Sequence, residues 1–304
     1  MKRLGPWAAL LIVWVFWGGT YIAIRVAVES MPPLLMAGVR YLIAGILLLP
    51  FALRSGPADL RGDGRSAGRP RAVHWLAAAV VGGLMLGAGN GGVSAAERTV
   101  PAGLASLLVA TVPLWLIVLD FAVNRVRIRL PALAGLLCGL TGVGFLARPA
   151  GGSWRGTAII LGASLAWALG TILSRKLPAP SRPLVASAMQ MLTGGALLLI
   201  VAASSGELTG FHLGHVSARS ALALAYLIGP GSILALSAYV ISVRELPTAI
   251  VGTYAYVNPV IAVALAATLL GEKITTGMLI GGCLIIAGVS AVVRYRDAAA
   301  RLPC

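Results

Sequence analysis

The chain has 304 residues, 59% of them hydrophobic and 11% charged, with mean hydropathy +0.93 and a formal net charge of +15. That composition excludes an ordinary soluble domain. The apolar runs are continuous rather than alternating, which excludes a β-barrel.

Windows free of Asp, Glu, Lys and Arg run 4–24, 41–53, 75–96, 99–119, 130–147, 156–174, 183–206, 220–243, 246–271 and 274–293. A span needs roughly 20 mostly apolar residues. Only the second window is short, because Arg40 interrupts a run that otherwise covers 34–53. Ten transmembrane helices are predicted, so the fold class is an all-α integral membrane protein. The first run is too long for a signal peptide, and no small-residue cleavage site follows it. The segment 54–73 is rich in Gly, Arg and Pro and reads as a flexible loop. Pro101 and Pro247 suit the first turn of the helices that follow them. Pro113 and Pro259 fall mid-span, where a missing N–H bends a helix. The fifth and tenth helices carry Gly135–Gly139 and Gly277–Gly281, a spacing that lets helices approach closely. Cys138, Cys283 and Cys304 suggest neither a disulfide framework nor a zinc site.

The same five-segment pattern occurs twice. Trp17, Arg25, Pro33 and Gly45 recur as Trp167, Arg175, Pro183 and Gly195 at a spacing of 150. Gly83, Arg98, Pro101, Pro113 and Gly142 recur as Gly229, Arg244, Pro247, Pro259 and Gly288 at a spacing of 146. A repeat of this length fixes architecture. An odd number of spans per copy gives the copies opposite orientations, as in alternating-access transporters. The expected division is 1–147, with the loop at 54–73, then 148–297, then a tail at 298–304. Of the 24 Lys and Arg residues, 17 fall in segments that share one side of such a bundle and six on the other, with Arg40 inside a span. That bias places both termini and the 54–73 loop in the cytoplasm. It also explains the net charge without nucleic acid.

The run WGGTYIAIRVAVESMPPLLMAGVRYLIAGILLL (17–49) resembles the opening of an EamA-type member of the drug/metabolite transporter superfamily, near its YedA-like exporters. The runs AERTVPAGLASLLVATVPLW (96–115) and LLGEKITTGMLIGGCLIIAGV (269–289) resemble that family's fourth-helix and last-helix motifs. The resemblance covers nearly the whole chain. It implies two repeats, ten helices and export of small metabolites, including amino acids, across the inner membrane. The glutamate of the family's Gly–Glu motif is Glu272. Its counterpart in the first copy is Val126, so any role of this glutamate is not shared between halves.

Arg40 is the one charge well inside a span, about 9 Å from the start of its helix. A charge at that depth costs ~2.5–3.5 kcal/mol on insertion scales. It either holds an anionic group of the substrate by paired hydrogen bonds, or it snorkels to the outer surface or forms a structural pair with Glu97 or Glu29. Its repeat counterpart is Gln190. Trp17 and Trp167 lie below the interfacial belt and can wall an apolar pocket or pack between repeats. Tyr21 follows Trp17 by one turn. Asn90 is either a lining residue or a hydrogen-bonding contact between helices. Tyr239, Tyr254 and Asn258 complete the candidate substrate-binding set.

Three motif matches carry nothing. Gly87, Gly89 and Gly92 fit GxGxxG without a preceding strand. His212 and His215 lack further ligands for a metal. Ser164 has no histidine within a later span to activate it. No cofactor is expected, and no ATP-binding motif is present. With no His, Asp or Glu constellation in the spans, an enzyme is not expected. The expected partners are a small-molecule substrate and the lipid bilayer, with a monomer plausible. The expected activity is secondary transport by alternating access. A channel or lipid-handling flippase on the same scaffold is the alternative.

Overall fold

A computed structural model of the protein describes residues 5–54, 70–124, 130–146, 153–246, 248–251 and 253–300. The 54–73 loop, the segment after Asn124 and the tail therefore lie largely or wholly outside the described residues. Among those described there is no strand. The helices are α1 (Pro6–Gly18), α2 (Thr20–Ala27), α3 (Pro33–Arg54), α4 (Ala72–Gly82), α5 (Gly92–Ala96), α6 (Ala102–Val109), α7 (Val112–Asn124), α8 (Leu130–Leu146), α9 (Trp154–Lys176), α10 (Pro183–Ser204), α11 (Ala218–Ile228), α12 (Ala235–Glu245), α13 (Thr248–Val251), α14 (Tyr254–Leu269) and α15 (Thr276–Ala300). Two π-helical segments, Gly83–Gly91 and Gly229–Leu234, join α4 to α5 and α11 to α12. Several pieces thus run on as one rod. Among the described residues, seven helical runs are long and apolar enough to cross a membrane, and three shorter apolar helices accompany them.

Helix is the outcome lipid imposes, because every backbone polar group must find its partner within the segment. The outer surface is correspondingly greasy: Leu11, Ile46, Phe51, Leu76 and Leu222 are exposed. The interior relies on small residues. Helix α3 packs against α10, and α8 against α15. A Cβ on Gly195 would lie 2.8 Å from the Leu42 nitrogen and 3.0 Å from the Gly38 carbonyl. One on Gly45 would lie 3.1 Å from the Ala188 carbonyl and meet Leu192. These contacts are reciprocal in repeat numbering, since 38, 42 and 45 become 188, 192 and 195 at the spacing of 150. Residue order also runs oppositely along the two helices, so the seam is antiparallel. The α8–α15 seam repeats the arrangement. Gly142 meets Gly281 and Ile285, while Gly288 meets Gly135 and Gly139.

Span breaks follow the prolines only in part. The fourth span breaks between Val109 and Val112, beside Pro113, as expected. Pro259 instead lies inside α14, which begins at Tyr254 and runs through it. A break that proline and repeat numbering did not point to separates α1 from α2 at Gly19.

Candidate functional site

The break at Gly19 creates the first element of the site. An interrupted helix leaves carbonyls without their usual N–H partners, and hydroxyls take them here. Thr20 Oγ1 donates to the Trp17 carbonyl at 2.6 Å, and Tyr226 Oη donates to the Phe16 carbonyl at 3.0 Å. Glycine at position 19 leaves room for the Tyr226 hydroxyl, which a Cβ there would push aside.

One turn away, Trp17 from α1 meets Tyr239 from α12 and Tyr254 from α14. Their ring centroids are 5.3, 5.4 and 5.9 Å apart for the three pairs. These tilted and edge-on arrangements suit aromatic quadrupoles. Two of the rings belong to the second half of the chain and one to the first. Asn258 sits below this cluster, with its amide nitrogen turned toward the carbonyls of Tyr254 and Trp14, each at 3.2 Å. Its amide therefore ties α14 to α1. Tyr21, beyond the break, packs against both principal apolar clusters.

Arg40 on α3 is 5% exposed. Its Nε donates to Ser232 Oγ at 3.0 Å, and Ser232 Oγ donates to the Leu227 carbonyl at 2.8 Å. The guanidinium carbon lies 4.7 Å from the Tyr41 ring centroid. The ion pairs weighed for Arg40 are not made: Glu29 instead faces Arg219 at 3.9 Å. Ser232 lies in the second π segment, whose widened turn supplies the Leu227 carbonyl. Arg40 Nη2 approaches Gly231, and Gly231 approaches Thr20. The arginine thus stands near the broken first span that also carries Trp17. Both Nη groups are left without a hydrogen-bond partner among the described residues.

The other candidates lie elsewhere. Trp167 on α9 packs against Gly89 in the first π segment, where a Cβ would lie 3.2 Å from its ring. Asn90 is the next residue of that segment, part-buried. Gln190 lines a separate shallow cleft with His74, Ser174, Pro178 and Ala186. The structure therefore groups Trp17, Tyr239, Tyr254 and Asn258, with Tyr21 and Arg40 adjacent on the same span or across it. Trp167 and Asn90 form a second neighbourhood, and Gln190 stands apart.

Sequence reasoning missed the polar ties at the end of the bundle formed by the turns 28–32, 97–101, 205–217 and 270–275, called here the distal face. Gly206 (φ +78°) and Gly271 (φ +67°) each close a helix in the left-handed conformation. The following N–H turns back, from Glu207 to the Ala202 carbonyl at 3.0 Å and from Glu272 to the Ala266 carbonyl at 3.1 Å. The freed glutamates reach the start of a helix from the other half of the chain. Glu207 Oε2 accepts from the Leu34 and Leu35 nitrogens at 3.0 and 2.9 Å. Glu272 accepts from the Ala102 and Gly103 nitrogens at 2.8 and 3.0 Å. Carboxylates at helix N-termini satisfy orphan donors and the positive end of the dipole. Two Gly–Glu doublets, each ahead of a proline-started partner helix, were the available signal. Ser220 Oγ also donates to the Val26 carbonyl at 2.8 Å, and the Ser217 nitrogen to Ser30 Oγ at 3.1 Å.

Beside the Glu272 latch, the Glu97 side chain is completely buried, and neither carboxyl oxygen has a hydrogen-bond partner among the described residues. Arg25 donates to the Glu97 backbone carbonyl instead of its carboxyl. Burial first, and the neighbouring Glu272 second, push this carboxyl well above the usual carboxylate range, against the opposing pull of Arg25 and Arg40.

A bundle of apolar spans with a buried arginine and an aromatic cluster between its halves belongs to the class of helical membrane proteins. The EamA-like transporter family model matches twice, over residues 5–148 and 154–294, and the chain belongs to that family. It is 39% identical over 280 residues to the "Uncharacterized inner membrane transporter YedA" of Escherichia coli (strain K12), covering 90% of this chain and 86% of that one. It is 28% identical over 303 residues to a "Probable amino-acid metabolite efflux pump" of Salmonella typhimurium, covering 95% and 94%. It is also 28% identical over 291 residues to a "Probable terminal-alkyne amino-acid exporter" of Streptantibioticus cattleyicolor, covering 95% and 93%. A solved crystal structure shares the fold at TM-score 0.63 and 20% identity, over 96% of this chain and 97% of that one.

Proposed function

We propose that the protein is a secondary transporter that exports small amino-acid-like or amphipathic metabolites across the cytoplasmic (inner) membrane by alternating access. Two inverted five-helix repeats, 1–147 and 148–297, form ten spans with both termini cytoplasmic, and the distal face is periplasmic. The reciprocal antiparallel seams at Gly45–Gly195 and Gly142–Gly288 support the inversion, and the positive-inside bias supports the orientation. The observation that carries the function is Arg40: a buried guanidinium with only Nε committed, one helix away from the Trp17–Tyr239–Tyr254 cluster. Arg40 binds a carboxylate or similar anion through its free fork, and the aromatic faces receive the apolar part of the same molecule. The names of the efflux-pump and exporter relatives support an amino-acid-like substrate.

The test is a counterflow screen of labelled amino acids and their analogues in proteoliposomes, run beside a lipid-scrambling assay. A substrate found this way is then titrated against Arg40→Gln and Arg40→Lys. A lost charge-assisted contact of ~1.5–3 kcal/mol lowers affinity roughly tenfold to a hundredfold. Lysine keeps the charge but loses the fork, so it does not restore affinity. Unchanged transport by folded Arg40→Gln removes Arg40 from the site. Scrambling without solute transport overturns the exporter reading.

A further inference from the structure

Glu97 is the one carboxyl in this structure whose two oxygens are both completely buried and unpartnered among the described residues. It caps the C-terminal end of α5, where the helix dipole disfavours a negative charge. The charged and titratable groups around it come from several elements. Arg25 and Tyr21 face it from α2, Arg40 from α3 and Glu272 from the turn before α15. Arg155 begins the packed helix α9 but is exposed and lies 5.6 Å from the Trp154 ring centroid. Nothing in this set neutralises the carboxylate by contact. Arg25 is tied to the Glu97 carbonyl, and Glu272 is tied to the Ala102 and Gly103 nitrogens. An ionised carboxylate in such a place costs several kcal/mol, so the group stays neutral instead.

We propose that Glu97 is a proton-binding site of the transport cycle, protonated as the distal face closes and deprotonated when that face opens. Opening admits water to the turn 97–101. The carboxylic acid then gives its proton to that water, and Arg25 is free to turn from the Glu97 carbonyl to the new carboxylate. Closing reverses the step: the carboxylate takes a proton from the distal side, releases Arg25 and is buried again. The proton is thus the ion that permits the closed distal face, and its entry alternates with substrate release there. The sign follows from the two environments. The closed form holds the proton more tightly than the open, hydrated form. Closure is therefore fully supported at acidic pH and is lost as pH rises through the closed-state value.

This inference rests on the transporter reading above, but its test needs no transported substrate. The full-length protein, with Cys138, Cys283 and Cys304 replaced by serine, is reconstituted in nanodiscs. Infrared difference spectroscopy across a pH titration looks for the carbonyl stretch of a neutral carboxylic acid. Spin labels at Arg98→Cys and Leu213→Cys, both exposed on distal turns of opposite halves, report opening. The expected result is a neutral-acid band at neutral pH that disappears in Glu97→Gln. The label separation lengthens as pH rises in the parent and stays short at every pH in Glu97→Gln, which mimics the protonated form. No acid band in the parent, a pH-independent separation in the parent, or an unaltered pH response in Glu97→Gln each overturns the proposal. A failure here with Arg40-dependent amino-acid transport intact leaves the exporter reading standing. Failure of the amino-acid screen leaves these two readouts unaffected.

Discussion

Replacing Glu272 with alanine should open the distal face without unfolding the protein. The Glu272 carboxylate bridges the first two free N–H groups of α6 at 2.8 and 3.0 Å, across the two halves of the chain. Hydrogen bonds to a charged group contribute ~1.5–3 kcal/mol each. The helix dipole adds about 0.3–1 kcal/mol. Water reaches this part-buried side chain and replaces part of both terms, leaving a net loss of about 3 kcal/mol for Glu272→Ala. Glu272→Gln keeps one acceptor without the charge and should lose less. Because the tie joins the two halves, the loss appears in the opening equilibrium, and about 3 kcal/mol corresponds to roughly a hundredfold rise in the open population. The assay is the labelling rate of Ser106→Cys by a membrane-impermeant maleimide. Ser106 is fully buried within α6, little more than a turn from the latch. The rate should rise in the order parent, Glu272→Gln, Glu272→Ala. Equal rates in three folded proteins would refute the argument that this carboxylate holds the distal face shut.

Two packing predictions follow from the glycines. Gly19→Ala should lower the melting temperature in detergent, because the new methyl meets Tyr226 Oη, and Tyr226→Phe should restore part of the loss by removing that atom. Gly142→Ala should be strongly destabilising, since its Cβ would lie 2.6 Å from the Gly281 carbonyl and backbone cannot step aside. Gly144→Ala, two residues on with nothing within 4 Å, should be neutral or stabilising by up to about 1 kcal/mol. Equal melting shifts at 142 and 144 would remove the close α8–α15 approach as their cause.

The spans were legible because lipid demands continuous apolar runs, and the repeat because equivalent positions recur at spacings of 150 and 146. Trp17, Tyr239 and Tyr254 were singled out by residue type and place in their spans, and the structure brings their rings together. The break at Gly19 was not singled out, because the repeat offers Leu169 at that position and the steric reason for glycine is a tyrosine about 200 residues away. The π segments left the faint trace of Gly83 matching Gly229, which names a shared constraint without naming a widened turn. Arg40 was read either as a substrate anchor or as a structural partner of Glu97 or Glu29, and within the chain neither glutamate pairs with it. It found Ser232, a residue that stands out only once the π turn places its hydroxyl beside α3. Glu272 stood out only as the glutamate of a family motif, and Glu207 did not stand out, since their partners are backbone nitrogens about 170 residues distant.

The asymmetry of those two glutamates shapes how the proposed inverted repeat can run in one direction. If the halves were equivalent, each tie on the distal face would have a twin on the opposite one. Counting back by the repeat spacing puts Pro57 where Glu207 has its twin and Val126 where Glu272 has its own. Neither residue can accept a hydrogen bond through its side chain. The glycine seams α3–α10 and α8–α15 are built alike in both halves, so they give no preference for either end. The carboxylate latches belong to the distal face alone, while at the other end the cross-half tie is of a different kind: Arg182 Nη1 donates to the Leu53 carbonyl at 2.7 Å. Outward opening requires breaking two charge-assisted caps and hydrating Glu97. A gate closed in this way by side chains of one half on backbone of the other can be biased by a proton, whereas the seams, made of backbone and methyl contacts, cannot.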